Sequence, residues 1–496
     1  MDYQTLPYNQ SLALLTDFYQ LTMAYGYWKT ENSTKESVFH LYFRRNPFKG
    51  GFAIACGLNL VIDFLEKFKF DDSDIEYLGS LKGNDNKPLF EEKFLAYLRQ
   101  LHFECDVDAI PEGTVVFAYE PLIRVTGPII QCQILETVLL NIINFQTLVA
   151  TKAARICEAA KGSPVLEFGL RRSQGIDGGL AASRAAYIGG CIATSNVLAG
   201  KIFGIPVKGT HGHSWIMSFD DELESFKAYA SALPSNCIFL VDTYNTLSGI
   251  HNAVNVGKYL REQGHELAGI RLDSGDLHYW SNEARRILDE QGFPKTKIIV
   301  SNELDEEIID SLKQQGAKVD LWGVGTKLVT AFDQPALDGV YKLSAVRSIN
   351  GEWKYKVKIS EQFIKVSNPG IMQVRRYFSG EENVADAIYD IHTDLSAGCT
   401  IIDPFNATRQ KRISATTACH DLLVPVFRKG RRVYTPPPLD QIRGSVQNNL
   451  RRFHMAIKRF INPHEYPVGL EQSFYNLKNE LILKTQESSA TTSELS

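Results

Sequence analysis

Apolar and polar residues between residues 146 and 345 occur in repeated blocks. Each block begins with a short apolar run, continues with polar or glycine residues, and ends in a segment with helical spacing. This succession of strand, polar end and helix is typical of parallel α/β structures. We interpret as buried strands the runs Val165–Phe168, Ile205–Val207, Ile238–Val241, Ala268–Leu272, Ile298–Val300 and Val319–Trp322, and we predict helices over 180–199, 248–263, 277–290 and 304–316.

The number of these blocks favours a (β/α) barrel over an open sheet. At least six units occur in a region whose length approaches the ~250 residues usual for such barrels. A doubly wound sheet remains the alternative, because six strands alone do not prove closure. No GxGxxG pattern follows any of the predicted strands, which counts against a Rossmann dinucleotide site.

The regions on either side of the barrel have other patterns. Residues 12–27 carry an apolar helical stripe, and short β runs occupy 106–133. Strand-like runs return after the barrel, and the end of the chain is polar and rich in Ser and Thr. We therefore predict an N-terminal α+β domain at 1–145, the α/β barrel with the active site at 146–345, a β-rich C-terminal region at 346–484 and a disordered tail at 485–496.

Composition restricts the class of protein. The chain has 496 residues, 44% hydrophobic and 22% charged, which is typical of a soluble globular protein with more than one core. A net charge of −4 and a pI near 6.3 argue against nucleic-acid and membrane partners. The basic cluster at 428–432 is interpreted as a hairpin turn.

Two further features predict a cytoplasmic protein. The eight cysteines form no CxxC pair and no metal-ligand spacing, as expected of core residues in a reducing compartment. The first residues lack the pattern of a signal peptide, and no apolar run approaches the ~20 residues that cross a bilayer.

Polar or glycine residues follow every predicted strand of the barrel. A barrel would gather these residues at one face, where barrel enzymes carry their chemistry. Individually, Asp273 and Ser301 are equally explained as helix caps. After Ile205–Val207 come Thr210, His211 and His213, and a pair of histidines with this spacing also occurs on solvated loops and in metal half-sites.

Several of these strand ends have the chemistry of a phosphate site. Gly323-Val324-Gly325-Thr326 offers close backbone N–H groups and a hydroxyl after the last strand. Arg171 and Arg172 supply bidentate donors. Asp273 and Asp276 have carboxylates suited to ribose hydroxyls or to Mg²⁺. Together these residues predict a site for a phosphorylated sugar.

Six motifs occur in a fixed order between about residues 12 and 345: LLTDFYQLTMAYGYW, LEFGLRRSQGIDGG, SNVLAGKIFGIPVKGTHGHSW, IRLDSGDL, SNELDE and GVGTKLVTAFDQPALDGVYKL. Together they give the chain a resemblance to the nicotinate phosphoribosyltransferases. It is weaker in the C-terminal region. It implies an irregular (β/α) barrel of the type II phosphoribosyltransferase kind.

The resemblance also implies an activity. Such enzymes join nicotinate to 5-phosphoribosyl 1-diphosphate and form nicotinate mononucleotide and diphosphate in NAD salvage. ATP hydrolysis is coupled to this reaction through a phosphohistidine, which makes the enzyme a C–N-forming ligase with ATP as co-substrate and Mg²⁺ as cofactor. A homodimer with shared active sites is also implied.

The resemblance assigns roles to individual residues. The histidine of the Gly-Thr-x-x-His motif matches His213, whereas His211 falls on a variable position of the motif. Tyr19, in the Asp-x-Tyr-Gln motif, would stack on the pyridine ring in the partner's barrel. Nicotinate would bind at Tyr19, Thr210 and Arg271. Phosphoribosyl diphosphate would bind at Arg171, Asp273, Asn302, Gly325 and Thr326. No metal ligand is assigned firmly, although Mg²⁺ at Asp273 is compatible with the pattern.

Other functions remain open at this point. Nicotinamide phosphoribosyltransferases are similar, but they carry an acidic residue where Ser195 aligns, so that Ser195 favours nicotinate. A sugar-phosphate sensor without activity would lack ATP turnover. A barrel lyase or aldolase would use Lys208 or Lys327 as a Schiff base, which borohydride would trap.

Overall fold

The computed structural model describes residues 12–493. It divides into two compact units. Unit 1 combines the chain up to Thr147 with the chain from Ala336 onward, and unit 2 is Leu148–Pro335. The two regions that flank the predicted barrel therefore belong to one unit, because strands from both regions pair in the same sheet.

The first part of unit 1 contains both helices and strands. Its elements are α1 Phe18–Trp28, β1 Glu36–Phe43, β2 Ala53–Ile54, α2 Leu58–Lys67, α3 Asp72–Ser80, α4 Glu92–Arg99, β3 Asp106–Ala109, β4 Val115–Val116, β5 Ile123–Pro128 and α5 Ile129–Ile134, with 3-10 helices Glu31–Thr34 and Pro47–Lys49. The long helix α6, Glu136–Ala159, leads into unit 2. The predicted α+β character of this region is confirmed.

Unit 2 alternates strands and helices. Its elements are β6 Val165–Glu167, α7 Gly175–Gly189, β7 Ala193–Thr194, α8 Val197–Phe203, α9 His213–Met217, α10 Glu222–Ala232, β8 Ile238–Leu240, α11 Thr246–Glu262, β9 Gly269–Leu272, α12 Leu277–Glu290, β10 Lys297–Val300, α13 Glu306–Gln314, β11 Leu321–Val324 and α14 Thr326–Val329, with 3-10 helices Leu170–Arg172 and Pro234–Asn236. The strands form a six-stranded sheet, ordered β7-β6-β11-β10-β9-β8, in which every neighbouring pair is parallel.

The single helix predicted over 180–199 is wrong. Helix α7 ends at Gly189, and Gly190 has φ of +128°, a conformation that L side chains rarely adopt and that terminates helices. The chain then forms the short strand β7 before α8 begins. The helical spacing of the apolar residues continued across this break, so the pattern concealed a strand of two residues.

The segment predicted as a strand at Ile205–Val207 is not a full strand. It makes one parallel bridge, between Val207 and Thr194 of β7. Two backbone hydrogen bonds support the bridge: Thr194 N donates to Pro206 O at 3.0 Å, and Lys208 N donates to Thr194 O at 3.0 Å. This segment thus extends the sheet by one position beyond β7.

His211 spans the remaining gap between this segment and β8, the strand at the other edge of the sheet. Its ring is 7% exposed. Nε2 accepts a hydrogen bond from Leu240 N at 3.4 Å, and Tyr229 packs edge-on with its ring centroid 4.9 Å away. The predicted irregular barrel is confirmed, and a side chain closes the ring where no backbone ladder does.

Burial determines the charge of this histidine. It lowers the pKa of His211 to about 4, since an imidazolium ion would lose its hydration there. The ring is therefore neutral at pH 7. Because Nε2 accepts the bond from Leu240, the proton lies on Nδ1, which is buried without a hydrogen-bond partner.

The second part of unit 1 is rich in strands, as predicted. Its elements are β12 Gly339–Arg347, β13 Lys354–Tyr355, β14 Met372–Ser379, β15 Glu382–Asp390, β16 Gly398–Asp403, β17 Asn406–Ser414, β18 Ala418–Asp421, β19 Val424–Arg428, β20 Arg431–Arg432, α15 Leu439–Arg451, β21 Val468–Glu471 and α16 Gln472–Ser493, with 3-10 helices Phe363–Lys365 and Met455–Lys458. The sheets of unit 1 are ordered β13-β12-β1-β5-β3-β19-β20, β17-β16-β21-β15-β14-β18 and β2-β4.

Two ends of unit 1 differ from the sequence pattern. The N-terminal helix begins only at Phe18, not at residue 12, and Asp17 takes the N-cap position with extended backbone. At the other end, α16 continues to Ser493, into the segment 485–496 predicted as a disordered tail, whose last three residues lie outside the described part of the chain. That segment contains no Gly or Pro, so its sequence does not interrupt a helix.

The basic cluster at 428–432 is the hairpin that the sequence predicts. β19 and β20 pair antiparallel across it, and Gly430 at the turn has φ of +71°. Arg428 Nη2 lies 2.6 Å from Asp108 Oδ1, so one positive charge of the cluster is neutralised.

Within residues 12–493, no helix is long and apolar enough to cross a membrane. All eight cysteines are free thiols.

The neutral His211 makes the stability of the protein dependent on pH. Its pKa is lower in the folded chain, about 4, than in the unfolded chain, about 6.5. The unfolded chain therefore binds a proton first as pH falls. The contribution of neutral His211 to the free energy of unfolding is complete above about pH 6.5. As the pH falls toward 4, this contribution is lost at about 1.4 kcal/mol per pH unit. Urea unfolding of the full chain at several pH values measures this loss.

The matched variant is His211→Gln, whose amide oxygen can still accept from Leu240 N but does not titrate. We expect its free energy of unfolding to fall less than that of the wild type between pH 6.5 and 4. If the free energy of unfolding falls equally with pH in the two proteins, the result contradicts a neutral His211 at the gap in the barrel.

Candidate active site

The polar strand ends of unit 2 meet at the carboxyl edge of its parallel sheet, as parallel topology requires. His213 is the first residue of α9. Its Nδ1 lies 3.1 Å from Thr243 Oγ1, after β8, and its Nε2 lies 3.6 Å from Asp273 Oδ2, after β9. The side chain is 40% exposed. Unlike His211, it is accessible to a ligand.

Neighbouring strand ends are joined by a carboxylate. Asp242 Oδ2 accepts from Asp273 N at 2.9 Å and from Ser274 Oγ at 2.6 Å. Asp273 in turn accepts a hydrogen bond from Ser301 Oγ, after β10. The ends of β8, β9 and β10 are thereby held together, and Asp273 is fixed beside His213.

A buried arginine lies among the same strand ends. Arg271 on β9 alternates with the fully buried Ile270 and Leu272, so its side chain points to the opposite face of the sheet. Its Nη1 donates to Thr210 Oγ1 at 2.5 Å. The Nε atom of Arg271 is buried and has no hydrogen-bond partner. The structure brings together the two residues predicted to bind nicotinate from the barrel.

The electrostatics of Arg271 reflect this position. Burial lowers its pKa, Asp273 and Asp242 oppose that shift, and the charge of Arg171 lowers the pKa further. An arginine nevertheless stays protonated in proteins. Arg171 lies in the 3-10 helix after β6 and is exposed. The site therefore presents a desolvated cation next to an accessible one, an arrangement that favours anionic ligands.

The loop after β11 packs closely on the segment after β6. A Cβ on Gly323 would lie 2.8 Å from the Phe168 ring, and a Cβ on Gly169 would lie 2.4 Å from Val329. A Cβ on Gly325 would lie 3.3 Å from the carbonyl oxygen of Phe168. Because these three glycines have no side chains, the backbone after β6 and the backbone after β11 can lie close together.

Two predicted ligand residues lie near this loop. Thr326 Oγ1 is 3.4 Å from Glu303 Oε1, to which it donates. Asn302, next to Glu303, has φ of +126° and an exposed side chain. A non-glycine residue in this conformation is strained, and such strain is concentrated at functional sites. Gly325, Thr326 and Asn302 therefore remain predicted ligands of phosphoribosyl diphosphate.

Tyr19 belongs to unit 1, where neighbouring residues hold α1 in place. Asp17 Oδ2 accepts from Thr137 Oγ1 at 2.9 Å, and Gln20 Nε2 donates to Glu136 Oε2 at 2.7 Å. Tyr19 itself is 48% exposed, and burial and the charge of Glu136 raise its pKa. The Asp-x-Tyr-Gln motif thus anchors a helix that leaves a neutral aromatic ring accessible.

The carboxylates of Asp242 and Asp273 fit Mg²⁺. Asp242 Oδ1 is buried without a hydrogen-bond partner, as an oxygen available to a cation would be. Residues 12–493 contain no group of three or more His, Cys, Asp or Glu placed to hold a metal. Since Mg²⁺ usually takes only one or two carboxylates and completes its shell with water and substrate phosphates, this pair is sufficient.

The lysines considered for a Schiff base lack suitable surroundings. Lys327 Nζ lies 2.5 Å from Asp305 Oδ2 in a pair that is largely shielded from solvent. A lysine held in such an ion pair does not present a free amine to a carbonyl group, as a Schiff-base lysine must. Lys208 is exposed to solvent. These contacts disfavour the lyase or aldolase alternative.

Sequence reasoning missed three residues of the site. Glu167 is fully buried at the end of β6 and accepts from Gly169 N, from Ser183 Oγ at 2.9 Å and from Thr194 Oγ1 at 2.5 Å. The sequence did contain a signal for this residue, because Glu167 is a carboxylate within a run that was interpreted as a buried apolar strand. Asp242 and Thr243 directly follow a buried strand in the sequence, but their roles depend on contacts between strand ends.

Comparisons with known proteins agree along the chain. The model of the nicotinate phosphoribosyltransferase (NAPRTase) N-terminal domain matches residues 14–144, the NAPRTase family model matches 165–369, and the C-terminal domain model matches 372–478. The nicotinate phosphoribosyltransferase of Bacillus subtilis (strain 168) is 43% identical over 479 residues, which cover 96% of each chain.

Solved structures give the same result. The crystal structure of human nicotinic acid phosphoribosyltransferase matches with a TM-score of 0.81 and 31% identity, covering 94% of this chain and 99% of the human chain. The nicotinate-nucleotide pyrophosphorylase from Pyrococcus furiosus matches with a TM-score of 0.68 and 23% identity over 91% and 97% of the two chains, which shows a shared fold.

Proposed function

The chain belongs to the nicotinate phosphoribosyltransferase family, and we propose that it joins nicotinate to 5-phosphoribosyl 1-diphosphate with coupled hydrolysis of ATP. The observation that carries this proposal is the buried Arg271, tied to Thr210 and left with an unpartnered Nε donor. A carboxylate is the ligand that best satisfies such a group. The products are nicotinate mononucleotide and diphosphate, and the reaction belongs to NAD salvage.

The chemistry of the reaction suits the groups at the strand ends. The bond between the anomeric carbon and the diphosphate oxygen breaks, the pyridine nitrogen bonds to that carbon, and the ribosyl group passes through an oxocarbenium-like state. The protein's main tasks are to position the two substrates and to stabilise the departing diphosphate. Arg271 and Thr210 hold nicotinate, while Arg171, Asp273, Asn302, Gly325 and Thr326 bind phosphoribosyl diphosphate.

Mg²⁺ held by Asp242 and Asp273 would neutralise charge on the diphosphate and so lower the barrier to its departure. Asp273 is held by Ser301 and by the Asp242 contact, so its carboxylate is positioned before a substrate arrives. Preorganisation of this kind removes the cost of arranging the group during the reaction.

His213 is the residue proposed to couple ATP hydrolysis to transfer. It is the accessible histidine of the pair, and an imidazole ring is a competent nucleophile toward phosphorus. His211, by contrast, is enclosed and engaged with β8. The phosphorylated residue is therefore His213, and its labile N–P bond can be hydrolysed in each cycle. This coupling makes the enzyme a ligase forming a C–N bond.

The preference for nicotinate follows from charge. Arg271 attracts a carboxylate, and Ser195, whose N donates to Glu167 O at 2.9 Å, adds no negative charge beside the ring. We further propose a cytoplasmic homodimer in which Tyr19 serves the partner's site. Its support is the half-exposed ring on an anchored helix and the free state of every cysteine, which fits a reducing compartment.

Substitution of Arg271 tests the nicotinate site. Arg271→Gln removes a charge-assisted bond, so kcat/KM for nicotinate should fall about 10- to 150-fold, while the KM for phosphoribosyl diphosphate changes little. Wild-type enzyme should prefer nicotinate to nicotinamide, and the variant should lose that preference. Arg286→Gln, at an exposed position of α12 outside every proposed substrate site, is the control. A wild-type preference for nicotinamide would contradict the assignment.

Labelling with γ-labelled ATP tests the role of His213. We expect an acid-labile, base-stable label on the wild type and on His211→Gln, and none on His213→Ala. His213→Ala should lose ATP-stimulated turnover but retain some transfer without ATP, because the proposed substrate contacts of Arg271 and Thr326 remain. Persistent label on the His213 variant would refute the assignment.

Mixing of two variants tests the shared site. Tyr19→Ala and His213→Ala should each be impaired, for loss of ring stacking and of phosphorylation respectively. If each site takes Tyr19 from one subunit and His213 from the other, mixed dimers regain one intact site. Activity should therefore recover after subunit exchange. If exchange is demonstrated by differently tagged chains and no activity returns, the two residues do not share a site across subunits.

A further inference from the structure

Helix α1 buries a polar side chain next to its exposed tyrosine. The buried face of the helix consists of Gln20, Leu21 and Ala24, and Gln20 is fully buried. Tyr19, by contrast, is 48% exposed. Successive side chains of an α-helix point about 100° apart. The direction of the Gln20 side chain therefore determines the direction in which the Tyr19 ring projects.

Both ends of the Gln20 carboxamide are engaged. Its Nε2 donates to Glu136 Oε2 at 2.7 Å, and its Oε1 accepts a hydrogen bond from Gln133 Nε2. Gln133 Nε2 also lies 3.5 Å from Glu136 Oε2, so the three side chains contact one another. Glu136 is the first residue of α6, and Gln133 belongs to α5. The carboxamide therefore joins α1 to two other helices of unit 1.

We propose that Gln20 is a positioning residue of the nicotinate site, because it sets the rotation of α1 and thereby the placement of the Tyr19 ring. The inference rests on the stacking role that the proposed function gives to Tyr19. An apolar side chain could fill the same space, but a carboxamide can donate to Glu136 and accept from Gln133 at the same time. Gln20 acts through the tyrosine and not on the substrate.

Helix α1 needs contacts of this kind because it is short. It spans 11 residues, and isolated helices shorter than about 12–15 residues are marginal in water. The side chain of its N-cap residue, Asp17, accepts from Thr137 Oγ1 at 2.9 Å. Gln20 lies about one turn further along α1 and binds the residue before Thr137. Two contacts with the start of α6 thus oppose a rotation of α1.

The side chains of Gln20 and Glu136 also act on Tyr19 directly. Burial and the charges of Glu136 and Asp17 raise the pKa of the Tyr19 hydroxyl, and a hydrogen bond with the Gln20 side chain lowers it. The polar end of the tyrosine is therefore held near Gln20 and Glu136. The exposed part of the ring remains available for stacking on a flat pyridine ring.

Gln20→Met tests the proposal in the full-length enzyme. Methionine keeps the length of the side chain but cannot make the two hydrogen bonds of the carboxamide. We expect the KM for nicotinate to rise about 2- to 10-fold, the range of a lost aromatic stack, while kcat and the KM for phosphoribosyl diphosphate change little. Gln100→Met, the same substitution at the exposed C-cap of α4, is the matched control and should behave as wild type.

The same substitution in the Tyr19→Ala background separates positioning from general support of the fold. If Gln20 acts through the ring, Gln20→Met should not raise the KM for nicotinate further once the ring is absent, since the effects of coupled residues are not additive. An equal further increase would overturn the proposal. A Gln20→Met enzyme with the wild-type KM, beside a Tyr19→Ala enzyme with a raised KM, would overturn the role of Gln20 alone. An unchanged KM in Tyr19→Ala would overturn both this role and the proposed stacking.

An exchange of the two groups provides a rescue. In Gln20→Glu/Glu136→Gln the carboxylate lies on α1 and the amide on α6, and the carboxylate can still accept from Gln133. We expect a KM for nicotinate close to that of the wild type. A KM as high as that of Gln20→Met would contradict the claim that these hydrogen bonds place the ring. If Gln20→Met does not fold, Gln133→Met, which removes one bond of the same carboxamide, replaces it in each comparison.

Discussion

Hydrogen bonds between neighbouring strand ends hold the whole site of unit 2 in place. Parallel topology brings the carboxyl ends of the strands to one edge, but it does not orient the side chains found there. Asp242 accepts a hydrogen bond from the backbone N of Asp273, and Ser301 Oγ donates to Asp273 Oδ1. Arg271 donates to Thr210 Oγ1. The carboxylates of Asp242 and Asp273 are therefore oriented before a ligand binds, because each accepts a hydrogen bond from an adjacent strand end.

The two histidines of the Gly-Thr-His-Gly-His segment lie in different environments. His211 closes the barrel where the backbone ladder is interrupted, and its burial keeps it neutral. His213, two residues further, begins a helix and remains accessible. The enclosed histidine and the accessible one are thus separated by a single residue, Gly212, with extended backbone.

The sequence predicts the alternation of strands and helices well, because each buried strand is a continuous apolar run followed by polar residues. It predicts less where one signal conceals another: the strand at Ala193–Thr194 lies within helical spacing, and the break is marked only by Gly190. Motifs assigned single residues such as His213 and Arg271 to the site. Glu167, Asp242 and Thr243 were not assigned to it, since their importance arises from partners on other strands that no local pattern reveals.

The most direct measurement is product formation by the full-length protein from nicotinate and 5-phosphoribosyl 1-diphosphate, with and without ATP. The account predicts nicotinate mononucleotide and diphosphate in equal amounts, with faster turnover and release of ADP when ATP is present. Failure to form the mononucleotide from nicotinate, with or without ATP, would contradict it.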